Sequence, residues 1–299
     1  MKHTLIGLFA VLVWGLGLPV ARLLGEQIGV FATIGIVFGV PGLLGLLPFL
    51  LGRKAFPSQT FLREPGFYLR WGTFVIHELA LNIAVRICER DHLPFVILLN
   101  YLWPTTILVC SILFGGLRIT RRWAFVLGTV IVIGSLGAEI LAGKDTDGLF
   151  SKSNDQLAYL LALIAALSWG IYSAITRRLG GRAGGRDVVA LFQISLALVY
   201  PLSLLAGYSV DWNLELSGTS LLLVYCFFMY LAYQCWDHGM QYGNVVIISL
   251  GADFIPWLSL GAAAVLLGIP LEFHTIVSAV TLVVGAMVTR FGTLPRPVT

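Results

Sequence analysis

The chain has 299 residues, of which 58% are hydrophobic and 11% charged, with a mean hydropathy of +0.90. A soluble domain carries about 25% charged residues, so this chain lacks the polar surface to stay in water as a globule, and its apolar residues must face lipid. The net charge of +4 comes from short Lys/Arg clusters between apolar runs, a pattern of membrane topology that excludes a nucleic-acid-binding stripe.

A membrane-crossing helix needs about 20 mostly apolar residues. In chain order ten runs qualify: 5–24, 30–51, 67–86, 93–115, 123–142, 157–177, 188–207, 219–238, 245–268 and 273–290. They are too long for barrel strands and lack polar alternation. The first run ends in Ala21, Arg22, Leu23 and Leu24, with no small-residue cleavage site, and reads as a span rather than a signal peptide. In the second, Gly35 and Gly39 form a small-residue pair suited to close helix contact. Cys88, Cys110, Cys226 and Cys235 lie in or beside apolar runs without metal-ligand spacing, and read as small packing residues.

The basic residues orient the runs. With both termini cytoplasmic, the inner side holds Lys2, Arg53, Lys54, Arg63, Arg70, Arg118, Arg121, Arg122, Arg177, Arg178, Arg182, Arg186, Arg290 and Arg296, or 14 of 19. The outer side holds Arg22, Arg86, Arg90, Lys144 and Lys152, which is 5. Positive charge collects inside, so both termini are expected in the cytoplasm.

The chain also repeats itself. Residues 8–25 and 163–180 match at eight of eighteen positions without a gap, among them Trp14/Trp169, Gly15/Gly170 and Arg22/Arg177. A second echo, offset by 152, sets Pro104 on Pro256. The expectation is an all-α integral membrane protein of ten transmembrane helices, in two five-helix repeats at 1–150 and 151–299. Five is odd, so the second repeat is inverted, and inverted repeats place a substrate site where the halves meet.

Trp71, Trp123, Trp212 and Trp236 fall near run ends and read as an interfacial belt. Trp14, Trp103, Trp169 and Trp257 lie near run centres, where an indole N–H facing lipid would be unsatisfied. They are cavity wall or helix-packing bulk. Tyr101 stands in Asn100-Tyr101-Leu102-Trp103-Pro104, where Pro104 frees the carbonyl of Asn100. Ionisable residues inside a span are functional candidates. His77 and Glu78 are half-way along the third run with Asn82 one turn on, and Asp253 is a third of the way along the ninth. In the eighth run Tyr230, Tyr233, Gln234 and Asp237 share a face. Asp237 and Glu139 fall near run ends and read as interfacial. Residues 182–186 are glycine-rich and read as a turn. No protease, hydrolase or nucleotide-binding motif is present, and all four lysines lie outside the runs.

Ten spans in two halves, a Trp-Gly pair in spans one and six, and the stretch at 100–104 resemble the drug/metabolite transporter superfamily, specifically its EamA-type permeases. The resemblance implies a basket of helices around a central cavity in a bacterial inner membrane, and export of aromatic amino acids and some flat xenobiotics. It puts Trp14, Tyr101, Trp103 and Trp169 in the cavity wall. The substrate-binding set is then Trp14, His77, Asn82, Tyr101, Trp103, Trp169, Tyr233, Gln234 and Asp253, with His77, Asn82, Gln234 and Asp253 meeting ammonium and carboxylate. Partners are a small-molecule substrate and the bilayer; no cofactor or metal is expected, transport needs no ATP, and the protein is expected to be monomeric. The competing readings are a transporter of another metabolite or an organic cation, against which span one has no acid before Glu26, and an intramembrane enzyme.

Overall fold

The computed structural model describes residues 1–52, 59–114, 117–142, 153–179, 188–208, 212 and 215–295. The loop residues Arg53, Lys54, Lys144, Asp145, Asp147, Lys152, Arg182, Arg186, Asp211 and Arg296, the turn at 182–186 and the 150/151 boundary lie outside the described residues.

Every run read from the sequence is built of helix. The elements are α1 (Lys2–Ile28), α2 (Val30–Leu50), α3 (Pro65–Ile87), α4 (Leu93–Asn100), α5 (Trp103–Leu113), α6 (Arg122–Ala142), α7 (Ser153–Leu179), α8 (Val189–Ala197), α9 (Val199–Leu205), α10 (Leu216–Tyr242), α11 (Val245–Ala252), α12 (Ile255–Leu267) and α13 (Phe273–Phe291). Among the described residues, eight helical stretches are long and apolar enough to cross a membrane. The helices α3, which carries Arg70, His77, Glu78 and Arg86, and α8–α9, which is shorter, fall outside that set. A helix satisfies its own backbone polar groups, as a lipid solvent demands. The protein is an all-α, multi-pass membrane protein, with one addition: a short ribbon pairs β1 (Leu117–Ile119) antiparallel with β2 (Thr293–Pro295), Arg118 opposite Leu294.

Three runs are interrupted, each just before a proline. The α4–α5 break falls at Tyr101 and Leu102, ahead of Pro104; the α11–α12 break falls at Asp253 and Phe254, ahead of Pro256. The α8–α9 break falls at Leu198, ahead of Pro201. Proline lacks an N–H and its ring crowds the carbonyl four residues back. At Pro104 and Pro256 the residue takes the first turn of the following helix, where no N–H is needed.

Packing follows a reciprocal pattern. α1 lies along α10 and α12, while α7 lies along α3 and α5; α2 packs on α8, and α6 on α13. Close crossings use small residues. Gly35 and Gly39 sit against Tyr200 and Ala197 beside α2, as their spacing predicts. Gly7 of α1 meets Gly239 of α10 with only 3.1 Å from its would-be Cβ to the Gly239 Cα.

The structure corrects three readings of run ends. Trp236 is fully buried among Trp14, Trp103 and Trp169, not interfacial. Asp237 and Arg70 are likewise fully buried and form an ion pair of 2.7 Å. Glu139 is buried and accepts from Thr275 Oγ1 at 2.7 Å. For Trp236 and Asp237 the cause is that α10 runs on to Tyr242, four residues past the end of the apolar run, so residues near the run's end still lie inside the packed bundle.

Candidate functional site

A cavity opens between α1, α2, α3, the α4–α5 break, α7 and α10. Its lining on α1 runs from Trp14 through Gly17 and Leu18 to Ala21, and on α10 from Tyr233 back through Met229 to Tyr225. It therefore occupies the half of the bundle toward the α1–α2 junction, and its floor is at mid-bundle.

That floor is aromatic. Trp14 meets Trp169 edge to face with ring centroids 5.2 Å apart, and Tyr233 at 5.4 Å. Trp236 lies against Trp14 at 5.1 Å and against Trp103 at 5.4 Å. Each helix contributes by its period: 225, 229 and 233 fall on one face of α10, as 14, 18 and 21 do on α1.

Hydrogen bonds set the walls. Ser259 Oγ donates to the Gly15 carbonyl at 2.7 Å, which uses its only proton, so Tyr101 O–H donates to Ser259 Oγ at 2.6 Å. Tyr225 O–H donates to the Gly17 carbonyl at 3.1 Å. Tyr233 O–H donates to Glu78 Oε1 at 2.5 Å, and Asn82 Nδ2 donates to the Glu78 carbonyl at 2.8 Å. His77 Nδ1 contacts the Ala165 carbonyl at 2.8 Å, and because a carbonyl only accepts, Nδ1 carries the proton. Among the described residues, two buried polar atoms of the lining have no partner: Trp14 Nε1 and Asn100 Oδ1. A buried donor or acceptor left unpaired costs about 1–3 kcal/mol, which a ligand group could recover.

Beneath the floor lies a charged knot. Arg70 Nη2 donates to Asp237 Oδ2 at 2.7 Å and Arg70 Nε to Thr176 Oγ1 at 2.9 Å. Tyr172 O–H donates to Asp237 Oδ1 at 2.5 Å, and Gln241 Nε2 to Oδ2 at 3.2 Å. The knot joins α3, α7 and α10.

Of the residues assigned to the site from sequence, Trp14, His77, Asn82, Tyr101, Trp103, Trp169 and Tyr233 line the cavity. Gln234 and Asp253 do not. Gln234 is half-buried on a neighbouring face of α10, one residue around from Tyr233. Asp253 is buried in a two-bond ion pair with Arg290, one bond of 2.9 Å, which removes it from the cavity. Glu78, Asn100 and Tyr225 line the cavity without having been assigned to it. Glu78 and Asn100 had visible signals, an acid at mid-span and a polar residue at a helix break. The signal for Tyr225 was its spacing from Tyr233.

Among the described residues, Glu89, His92 and Asp155 bring potential metal-ligand atoms within 4.8 Å of one another. They lie where α3 gives way to α4, away from the cavity lining, and are tied by the Glu89 N–H to Asp155 Oδ1 bond of 3.0 Å.

Residues 156–291 match the EamA-like transporter family. The chain resembles an EamA-type permease. It is 29% identical to the aromatic amino acid exporter YddG of Salmonella typhimurium over 99% of both chains. It is 29% identical to the Escherichia coli exporter of that name over 91% of both, and 25% identical to the one from Ancylobacter novellus over 86% of this chain and 85% of that one. A solved crystal structure aligns with a TM-score of 0.69 and 23% identity, covering 96% of this chain and 95% of the other, and supports the fold.

Proposed function

We propose that this protein exports aromatic amino acids across the bacterial inner membrane by alternating access, without ATP. The observation that carries the reading is the cavity itself, a space floored by Trp14, Trp103, Trp169 and Tyr233 that also holds polar atoms in need of partners. An aromatic side chain would lie against the rings, where edge-to-face and offset contacts are favoured. The Trp14 Nε1–H would donate to the substrate carboxylate. Asn100 Oδ1 and the Glu78 carboxylate would accept from its ammonium group, with His77 and Asn82 beside them. The names of the relatives point the same way.

The architecture we infer has ten crossings, α4–α5, α8–α9 and α11–α12 each making one, in inverted halves at 1–150 and 151–299. Exchanging the halves turns the α1–α10 and α1–α12 contacts into α7–α3 and α7–α5. The breaks at 101–102 and 253–254 are related by the offset of 152. Arg22 donates to the carbonyl of Cys88, the residue capping α3, and its counterpart Arg177 to that of Gly243, capping α10. The ribbon of β1 and β2 holds the two strands on one side of the bundle, which supports an even number of crossings between them. With both termini cytoplasmic, the cavity faces outward. A cysteine at Tyr208 should then react with an impermeant external reagent and one at Leu51 should not; the reverse would overturn the orientation.

The test of cargo is efflux from loaded proteoliposomes. Tryptophan, phenylalanine and tyrosine should leave several-fold faster than leucine or alanine, and equal rates would sink the reading. A second reading, transport of flat organic cations, gains from Glu78: α1 has no acid ahead of Glu26, but Glu78 stands on α3 in the cavity. The relatives are transporters, which does not favour an intramembrane enzyme.

A further inference from the structure

Two of the buried acids are paired with an arginine, Asp237 with Arg70 and Asp253 with Arg290. Glu139 has Thr275 and His274 Nε2 at 3.5 Å, and Asp155 has the Glu89 N–H and His92 Nδ1 at 3.4 Å, both away from the cavity lining. Glu78 faces the cavity, and no Lys or Arg is among the lining residues. Its carboxylate has the Tyr233 hydroxyl on Oε1 and His77 Nε2 at 3.8 Å. A charge in such a place is held only with a positive companion.

The geometry restricts what that companion is. His77 Nδ1–H is committed to the Ala165 carbonyl, so Nε2 is either a bare lone pair or the second proton site of an imidazolium. A bare lone pair opposite a carboxylate is repulsive, and one proton placed on Nε2 or on the Glu78 carboxyl relieves it. Both placements leave the pair neutral with the same proton count, so the pair titrates as a unit. The other titratable groups facing Glu78 are phenols. Tyr233 donates to Glu78 itself, Tyr225 to Gly17 and Tyr101 to Ser259, so each of these protons is already placed. The remaining walls present Trp14 from α1, Val37 and Phe38 from α2, and Trp169 from α7, whose ring lies 4.6 Å from that of His77. None of these carries a charge.

We propose that the His77–Glu78 pair holds one exchangeable proton, that the ammonium group of an aromatic substrate displaces it, and that the protein therefore exchanges outgoing substrate for an incoming proton. This rests on the reading of the cargo as aromatic and amine-bearing. In the cycle the ammonium enters from the cytoplasm and takes the place of the proton, which leaves to the cytoplasm. After the cavity opens outward, a proton from outside returns to the pair and the ammonium departs. One positive charge occupies the pair at every step.

The first measurement uses the purified wild-type protein in weak buffer with a pH indicator. Adding tryptophan, or tryptamine, which keeps the ammonium and lacks the carboxylate, should release about one proton per molecule bound. Indole-3-propionate, which lacks the ammonium, should release none. In proteoliposomes an acid interior should accumulate tryptophan several-fold over the external concentration, while tryptophan counterflow proceeds without a gradient. Glu78→Gln should abolish accumulation and slow counterflow, and what counterflow remains should lose its pH dependence. Counterflow of tryptophan in the wild type with neither proton release nor accumulation would overturn the proton exchange and leave the cargo reading standing. Proton release by tryptamine without binding or counterflow of tryptophan would uphold the exchangeable proton and overturn the amino-acid cargo. Silence in every assay would end both.

Discussion

Trp14 and Trp169, at corresponding positions of the internal repeat, meet edge to face across the cavity floor at an interplanar angle of 88°. An aromatic pair of this kind contributes about 0.5–1.5 kcal/mol beyond the area it buries. A guest ring seated on the same indoles would gain contacts of similar size. Trp14→Ala or Trp169→Ala should therefore lower apparent affinity for tryptophan and phenylalanine by a few-fold to about tenfold, since about 1.4 kcal/mol is a factor of ten. The measurement is the ratio of aromatic to aliphatic transport at matched protein levels. A constant ratio in both variants would make the two indoles packing bulk and remove the residue-level support for aromatic cargo.

Much of this site was legible before any coordinates. Helix positions follow from apolar run length, because lipid leaves the backbone few alternatives. The breaks ahead of Pro104 and Pro256 sit where the repeat sets one proline on the other; the one ahead of Pro201 carried no such signal, and Pro19, Pro41 and Pro48 leave their helices unbroken. Mid-span Trp14, Trp103 and Trp169 and mid-span His77 converge because polar or amphipathic groups at that depth have to face protein or cavity. What the sequence hides is which acid has an arginine. Asp253 and Glu78 look alike in one dimension, each an acid inside an apolar run. Only the fold brings Arg290 to the first and leaves the second facing the cavity. Trp236 and Asp237 were misread for a related reason: distance from the end of an apolar run does not say how far the packed bundle extends.

The correction at Asp253 carries its own expectation. With both carboxylate oxygens bound by Arg290, Asp253→Asn should act on stability. Breaking a buried pair by removing one partner costs about 3–5 kcal/mol. Yield and thermal midpoint should fall, while the pH profile of transport in the protein that survives should match the wild type. A shifted profile would return Asp253 to a coupling role.

Cys88 offers a chemical check on packing just past the end of α3. It is 2% exposed, and burial pushes its thiol up to about 12. The thiolate is the reactive form. At neutral pH a maleimide should leave Cys88 unmodified in the folded protein and label it readily after denaturation, read by mass spectrometry of peptides. Rapid labelling in the native state would show that the α3–α4 junction opens far more than its packing implies.

The last expectation concerns how the cavity is closed on its other side. Arg70, Asp237 and Tyr172 stand beneath the aromatic floor, on three different helices, with both charges fully buried. If substrate arrives from that side, α3 and α10 have to separate there, and the ion pair has to part each time the cavity changes access. A single substitution, Arg70→Met or Asp237→Leu, leaves one uncompensated buried charge and should destabilise the protein by about 3–5 kcal/mol. The double substitution removes both charges and should recover most of that loss, because a buried pair replaced by apolar residues is often neutral in stability. The readout that separates a latch from a structural pair is access. In the double variant, a cysteine in place of Thr176, next to Arg70, should become reactive to a reagent added from the cytoplasmic side, whereas in the otherwise unaltered protein it should stay protected. If the double variant folds and the cysteine at 176 remains as protected as before, the pair supports the fold without governing access.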